Sequence, residues 1–340
     1  MSLLRNLAFG VLIAMVGHLS PARADDVASF YKGQQVTLVV PTGPGGGYAL
    51  YGQIFSRYFG DHIPGNPTVI VKYQPGGGGN VAANYLYNIA PKDGSTVALL
   101  FSTLTVTQAL QPSGAQFDAT KFSWLGSIAP MINAIGIWHE APADTIDGAK
   151  EKQVAMGATG KSADLYIYPQ IMNALLGTKF KIVLGYDSSG AILLAMQSGE
   201  VQGMAMGLKA WSATRPEWIK NKDVVIVAQN GLKRDPEIPD VPTLVELAKT
   251  PEDKQIMTFL AAPAVLGRAI AAPPGIPADR LAALRKAFDD TMQDPQFQND
   301  LTSRHLSTGP TPGANITEFI TTVSATPASV IERTKKLLAF

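Results

Sequence analysis

The chain has 340 residues, and 28 Lys and Arg stand against 27 Asp and Glu, so no basic excess points to nucleic acid or an anionic membrane as partner. There is no cysteine, which excludes thiol catalysis, thiolate metal sites and disulfide staples, and stability has to come from core burial. A chain this long exceeds the size at which one core keeps growing, so two domains are expected.

Residues 1–24 read as a secretory signal. Arg5 gives the positive start, Leu7–Val16 the apolar core and Ala22-Arg23-Ala24 the A-x-A cleavage site. The apolar stretch is shorter than the roughly 20 residues that a membrane span needs. Cleavage after Ala24 leaves 316 residues beginning at Asp25, with 26 basic and 27 acidic side chains and formal charge −1. An exported globular protein is expected.

Val36, Leu38 and Val40 alternate as in a half-buried strand, Pro41 stops it, and Gly43-Pro44-Gly45-Gly46-Gly47 makes a loop almost without side chains. Leu50, Ile54, Phe55 and Tyr58 then follow at helical spacing. Strand, glycine loop and helix start aim bare N–H groups and the positive end of a helix dipole at one point, which suits an anion. Gly45, Gly46, Gly47 and Tyr48 are its candidate contacts. Taken alone, the stretch could equally be a turn that reverses the chain. Its recurrence further on favours a site.

Thr68–Tyr73 is a second β-rich run, leading through Gln74-Pro75 and Gly76–Asn80 into a helix with Ala82, Ala83, Tyr85, Leu86 and Ile89. Thr96–Phe101 is apolar nearly throughout, as a strand buried on both faces would be. Alternating strands and helices predict βαβ units and a mostly parallel sheet, with the ligand beyond the carboxyl ends of the strands. Gly77, Gly78, Asn80, Ser102 and Thr103 fall there. Phe122–Ile128 and Asn133–Trp138 read as strand or connector, and Asp144–Lys152 as a short surface helix.

Gln153–Ser162 repeats the opening theme and runs into a helix, adding Thr159, Gly160, Lys161, Ser162 and Asp164 as candidates. Lys181–Tyr186, a helix through Leu193, Leu194 and Met196, then Gly203–Gly207 and Val224–Gln229 complete a second set. These add Tyr186, Ser188, Gly207 and Trp211 to the candidate site. Arg234–Pro242 is a Pro-rich connector and a candidate crossing between domains. Ala264–Ala272 reads as a strand. Leu281, Leu284, Phe288 and Met292 mark one face of a helix, and Ile316–Leu338 a closing helix broken near Pro327.

Ala155–Ser162, AMGATGKS, fits a loose Walker A pattern with alanine in the first glycine position. Export would take it away from nucleoside triphosphates, and the nearest acidic strand end, Asp187, comes only 25 residues later. The loop nonetheless remains an anion-binding helix N-terminus. No G-x-S-x-G elbow occurs, and His62, His139 and His305 lack ligand spacing. No catalytic set, cofactor or metal is expected. Tyr48, Tyr51, Phe101, Tyr186 and Trp211 fall at expected cleft positions; each could be ordinary packing, but together they favour an apolar-walled pocket with a few polar anchors.

PTGPGGGY, QPGGGGNVAANYLYNIAPKDGSTV, GATGKSADLYIYPQIMNALLG, GYDSSGAILLAMQSGEVQG and PDVPTLVE, in that order, resemble the tripartite tricarboxylate transporter receptors. These are also called the Bug family of periplasmic solute receptors, and the likeness runs from about Val36 to the C-terminus. It implies an α/β, two-lobed type II periplasmic-binding-protein fold, each lobe a mostly parallel sheet flanked by helices, joined by hinge strands. Residues 25–130 and 240–340 would form lobe one and 131–239 lobe two. The implied ligand is a small organic mono- or dicarboxylate held in the cleft by Gly45–Tyr48 and Thr159–Ser162. The implied partners are the membrane components of a tripartite tricarboxylate-type transporter, the location the periplasm, and the receptor a monomer without cofactor.

Two departures from the family pattern stand out. Ala49 and Gln53 occupy places where an aspartate and an arginine are usual, and Asp187-Ser188-Ser189 replaces a Pro- or Lys- and Gly-containing loop. With Ala49, an ammonium-bearing ligand loses its usual partner, so plain carboxylates are expected to bind better than amino acids. The alternatives are an exported hydrolase or nucleotide-dependent protein using the same cleft, and a solute receptor serving a sensor kinase.

Overall fold

A computed structural model describes residues 22–110, 113–306 and 308–339. The expected signal lies outside the described residues except for Ala22–Ala24, which open the helix Ala22–Tyr31. The first four strands are β1 (Gln35–Val40), β2 (Thr68–Tyr73), β3 (Thr96–Leu100) and β4 (Ser123–Ser127). The next five are β5 (Asn133–Trp138), β6 (Val154–Ala158), β7 (Phe180–Leu184), β8 (Gly203–Gly207) and β9 (Val224–Asn230). The chain then returns through β10 (Ala269–Ala272) and the short β11 (Thr311–Pro312).

These strands make two sheets. The first has the order β11-β4-β10-β3-β1-β2 and the second β7-β6-β8-β5-β9. β1 pairs in parallel with β2 and β3, whereas β10 runs antiparallel between β3 and β4. In the second sheet β6 is parallel to β7 and β8, and β5 runs against both β8 and β9. Both sheets are thus mixed. Most strands in each share one direction, and the strands that cross between sheets, β5 and β10, run against it. Helices flank both sheets, giving the two-lobed fold of periplasmic binding proteins.

Local chemistry places the elements much as the apolar pattern requires. Every residue of β3 is buried, as a central strand with helices on both faces demands, while β2, at the sheet edge, alternates exposed and half-buried residues. The helix Gly47–His62 turns Tyr51, Ile54, Phe55 and Phe59 inward against β1 and the helix Ala278–Gln293. Thr145 caps the helix Ile146–Glu151 by accepting a bond from Gly148 N–H. Pro327 separates the helices Gly313–Ser324 and Ala328–Leu338, because proline has no N–H to continue the ladder.

Two connectors differ from the sequence expectation. Of Ala264–Ala272 only β10 is strand; Ala262–Val265 is a 3-10 turn, and Gly267, at φ 45°, breaks the chain just before the strand. The Pro-rich stretch Arg234–Pro242 folds back on β9, since the Gln229 amide donates to the carbonyls of Ile238 and Val241. The segment lying beside the first crossing is instead Ala264–Arg268: Met131 N–H donates to Ala264 O at 2.7 Å and Arg268 N–H to Ala129 O at 2.9 Å.

Candidate ligand site

The loops at the carboxyl ends of β1, β3, β6 and β7 meet between the two sheets. Gly45 and Gly46 take φ of 88° and 80°, and Gly46 caps the helix Gly47–His62. Against them lies the start of the helix Ser189–Gln197. Gly43 N–H donates to Asp187 O at 2.8 Å, and Ser188 Oγ donates to Pro44 O at 3.2 Å. A second seam joins the loop after β2 to the loop after β6. There Asn80 Nδ2 donates to Ser162 Oγ at 3.0 Å, and the Thr103 and Thr107 hydroxyls donate to Ser162 O at 3.2 Å each. Gly78, at φ 63°, and Gly160 face each other there, where a side chain would collide with opposing backbone. These glycines do more than bare their amides. They let two backbones touch across the cleft.

Behind the seams lies a cavity of about 20 Å³, lined among others by Gly47, Tyr48, Met131, Asp164, Gly207 and Arg268. A neighbouring cavity of about 80 Å³ shares Met131, Gly207 and Arg268 and reaches Tyr51 and Asp235. Arg268 was not among the sequence candidates, and it dominates the site. It is only 3% exposed. Its guanidinium carbon lies 4.0 Å from the centre of the Tyr48 ring and 5.1 Å from that of Tyr51. One terminal nitrogen donates to the Met131 sulfur, and Nε has no hydrogen-bond partner. A Cβ on Gly47 would lie 3.0 Å from the other terminal nitrogen, so the guanidinium sits at the amino end of the helix Gly47–His62. A signal for it was present in the sequence: one charge in the apolar run Ala264–Ala272 must be buried, and a buried charge needs a partner.

Asp164, 4% exposed, opens the helix Asp164–Leu176 and lines the same cavity. Burial pushes its carboxyl up to about 6 against the opposing pull of Arg268. One oxygen accepts from Leu165 N–H at 2.9 Å. Arg268 acts on Asp164 through its charge across the cavity and not through a hydrogen bond. Nearby, the buried Asn133 amide lies beside both the Asp164 carboxyl and the Tyr168 hydroxyl. Tyr48 is spoken for at its tip: Ser102 N–H donates to its oxygen at 3.1 Å, and its hydroxyl donates to Gly267 O at 3.4 Å. Burial raises its pKa, so the phenol stays neutral and offers Arg268 a ring face.

The sequence candidates therefore divide. Gly45, Gly46, Gly47, Tyr48 and Ser188 gather at one seam. Gly78, Asn80, Ser102, Thr103, Gly160 and Ser162 gather at or beside the other, with Gly77 exposed at its edge and the Thr159 hydroxyl buried without a partner. Asp164 and Gly207 reach the cavity.

Three candidates point elsewhere. Lys161 is exposed and reaches Ala339 O at 3.4 Å. Tyr186 turns outward to Glu200, donating at 2.6 Å. Trp211 is fully buried and donates from Nε1 to Ala134 O at 3.2 Å, flat against Gly136 of β5. It belongs to the core because the missing side chain at Gly136 leaves an indole-sized slot.

The family model of the tripartite tricarboxylate transporter family receptor matches residues 65–335. The chain belongs to this family. The UPF0065 protein in the tcbD-tcbE intergenic region of Pseudomonas sp. (strain P51) is 26% identical over 256 residues, 73% of this chain and 72% of that protein. Among solved structures, the periplasmic binding protein BugD has a TM-score of 0.73 at 18% identity, over 89% of this chain and 98% of its own. R. palustris Rpa4515 with adipate has a TM-score of 0.69 at 19% identity, over 90% of this chain and 97% of its own. At such identities the structures speak for the fold. Membership makes this tripartite tricarboxylate transporter family receptor a solute-binding protein and not an enzyme. No helix among the described residues is long and apolar enough to cross a membrane.

Proposed function

We propose that this receptor, exported to the periplasm with loss of residues 1–24, captures a small organic carboxylate between its lobes. It then delivers the ligand to the membrane components of a tripartite tricarboxylate-type transporter. The observation that carries the reading is Arg268, a buried cation with an unpartnered Nε at the amino end of the helix Gly47–His62. The guanidinium keeps an unused donor at Nε, and both the cation and the helix dipole favour an anion there. The adipate in the R. palustris relative supports a carboxylate as that anion.

The lobes in this reading are residues 25–130 with 240–340, and 131–239, hinged beside Ala129 and Arg268. Carboxylate capture at Gly45–Tyr48 and Thr159–Ser162 would use backbone N–H groups, with Asn80, Thr103 and Ser188 holding the loops together. Ligand entry requires the lobes to part, because the cavity of about 20 Å³ holds no more than a water or so. Calorimetry with a panel of small carboxylates tests the reading, together with small-angle scattering for compaction on binding. Absence of binding to every carboxylate, in protein freed of co-purified ligand, would overturn it.

A further inference from the structure

The helix Ala328–Leu338 comes from the C-terminal part of lobe one, yet its last turn rests on lobe two. Its root is tied to lobe one. Arg333 Nη2 donates to Asp253 Oδ1 at 3.0 Å, in the first turn of the helix Pro251–Ala261, and the preceding helix Gly313–Ser324 packs on β4 of the first sheet. At its tip, the Tyr166 hydroxyl donates to Leu338 O at 3.1 Å and Gln170 Nε2 to Leu337 O at 3.2 Å. Both donors stand on the helix Asp164–Leu176 of lobe two, and Leu338 is fully buried. The last carbonyls of a helix have no partner within it, and here the other lobe supplies two. We propose that the helix Ala328–Leu338 is a strap across the lobes, and that Tyr166 and Gln170 set the balance of closed and open receptor from outside the ligand cavity. This rests on the two-lobe reading above and goes beyond it.

The two ends of the strap are unequal. The root holds by a charge-assisted bond to a buried aspartate, and the tip by two neutral hydrogen bonds, each roughly half as strong. When the lobes part, the tip therefore lets go first, and the carbonyls of Leu337 and Leu338 exchange Tyr166 and Gln170 for water. The loss falls on the open state alone, so the strap favours closure without touching the ligand. Asp164 lies one turn or less before Tyr166 on the same helix, so the tip also seats a wall of the cavity.

The test is single-molecule energy transfer between the lobes in ligand-free receptor. The chain has no cysteine, so Thr68→Cys on β2 and Lys181→Cys on β7, both exposed and on edge strands, carry the dye pair at no other site. In this background Tyr166→Phe with Gln170→Leu, showing native circular dichroism, is expected to lower the ratio of closed to open molecules about five- to a hundredfold, the value of two neutral hydrogen bonds. Tyr166→Phe alone should lower it about two- to tenfold, and it decides the matter if the double variant does not fold. A ratio that neither variant changes overturns the strap while leaving closure intact, and so does a ligand-free receptor that is already wholly open. One inter-lobe distance that neither the variants nor the carboxylate panel alters would remove the strap and the two-lobe reading together.

Discussion

Gly160, in the loop after β6, stands so near Gly78, in the loop after β2, that a Cβ on Gly160 would lie 2.5 Å from the Gly78 nitrogen. Gly160 has no positive φ to protect, so Gly160→Ala tests the contact without backbone strain. Overpacking costs about 1–3 kcal/mol, and the cost falls on the arrangement in which the lobes touch. The variant is expected to bind ligand roughly five- to a hundredfold more weakly. Small-angle scattering should show less compaction at saturating ligand than in the natural protein.

Asp164 makes stability depend on pH. With its pKa raised from 3.8 to about 6, the native state keeps a proton that the unfolded chain has released between about pH 4 and 6. Stability therefore falls as pH rises through that window, and the full penalty, on the order of 3 kcal/mol, stands above it. Asp164→Asn removes the buried charge. Its melting temperature is expected to exceed that of the natural protein at pH 8 and to match it near pH 4. Thermal unfolding at the two pH values checks both arms, and equal melting temperatures at pH 8 would count against a costly buried carboxylate.

Trp211 should behave as a core residue. Trp211→Ala is expected to destabilise by about 3–5 kcal/mol, by cavity formation against Gly136 and loss of the bond to Ala134 O. Trp211→Phe, keeping most of the volume, should leave ligand affinity within about twofold, as for a residue that touches no ligand. Chemical denaturation and calorimetry on the two variants separate the roles.

Lys161, exposed and 3.4 Å from Ala339 O, should matter little. Lys161→Ala is expected to change affinity by less than about 1 kcal/mol, as exposed charges do. A loss of a hundredfold in calorimetry would place the ammonium on the ligand instead.

Local chemistry wrote the fold into the sequence. The apolar run Thr96–Phe101 fixed a doubly buried strand, Pro41 and Gly43–Gly47 ended one strand and opened a helix, and Pro327 divided the closing helix, because each depends only on near neighbours. The glycine loops also marked where the lobes meet. Their partners were not readable. That Gly46 rests on Ser189, and Gly78 on Gly160, follows from packing two sheets together, which no local pattern encodes.

The charges show the same limit from the other side. The sequence could say that Arg268, alone in an apolar run, had to be buried. It also placed Asp164 among the candidates, and read Ala49 as the loss of the usual partner of an ammonium-bearing ligand. Only the tertiary structure brings Asp164, from the opposite helix, into the cavity of Arg268, and only it turns Trp211 and Tyr186 away. The physical reason is reach. Backbone propensity and apolar spacing act over a few residues, whereas burial and Coulomb interaction join side chains by distance in space, whatever their separation along the chain.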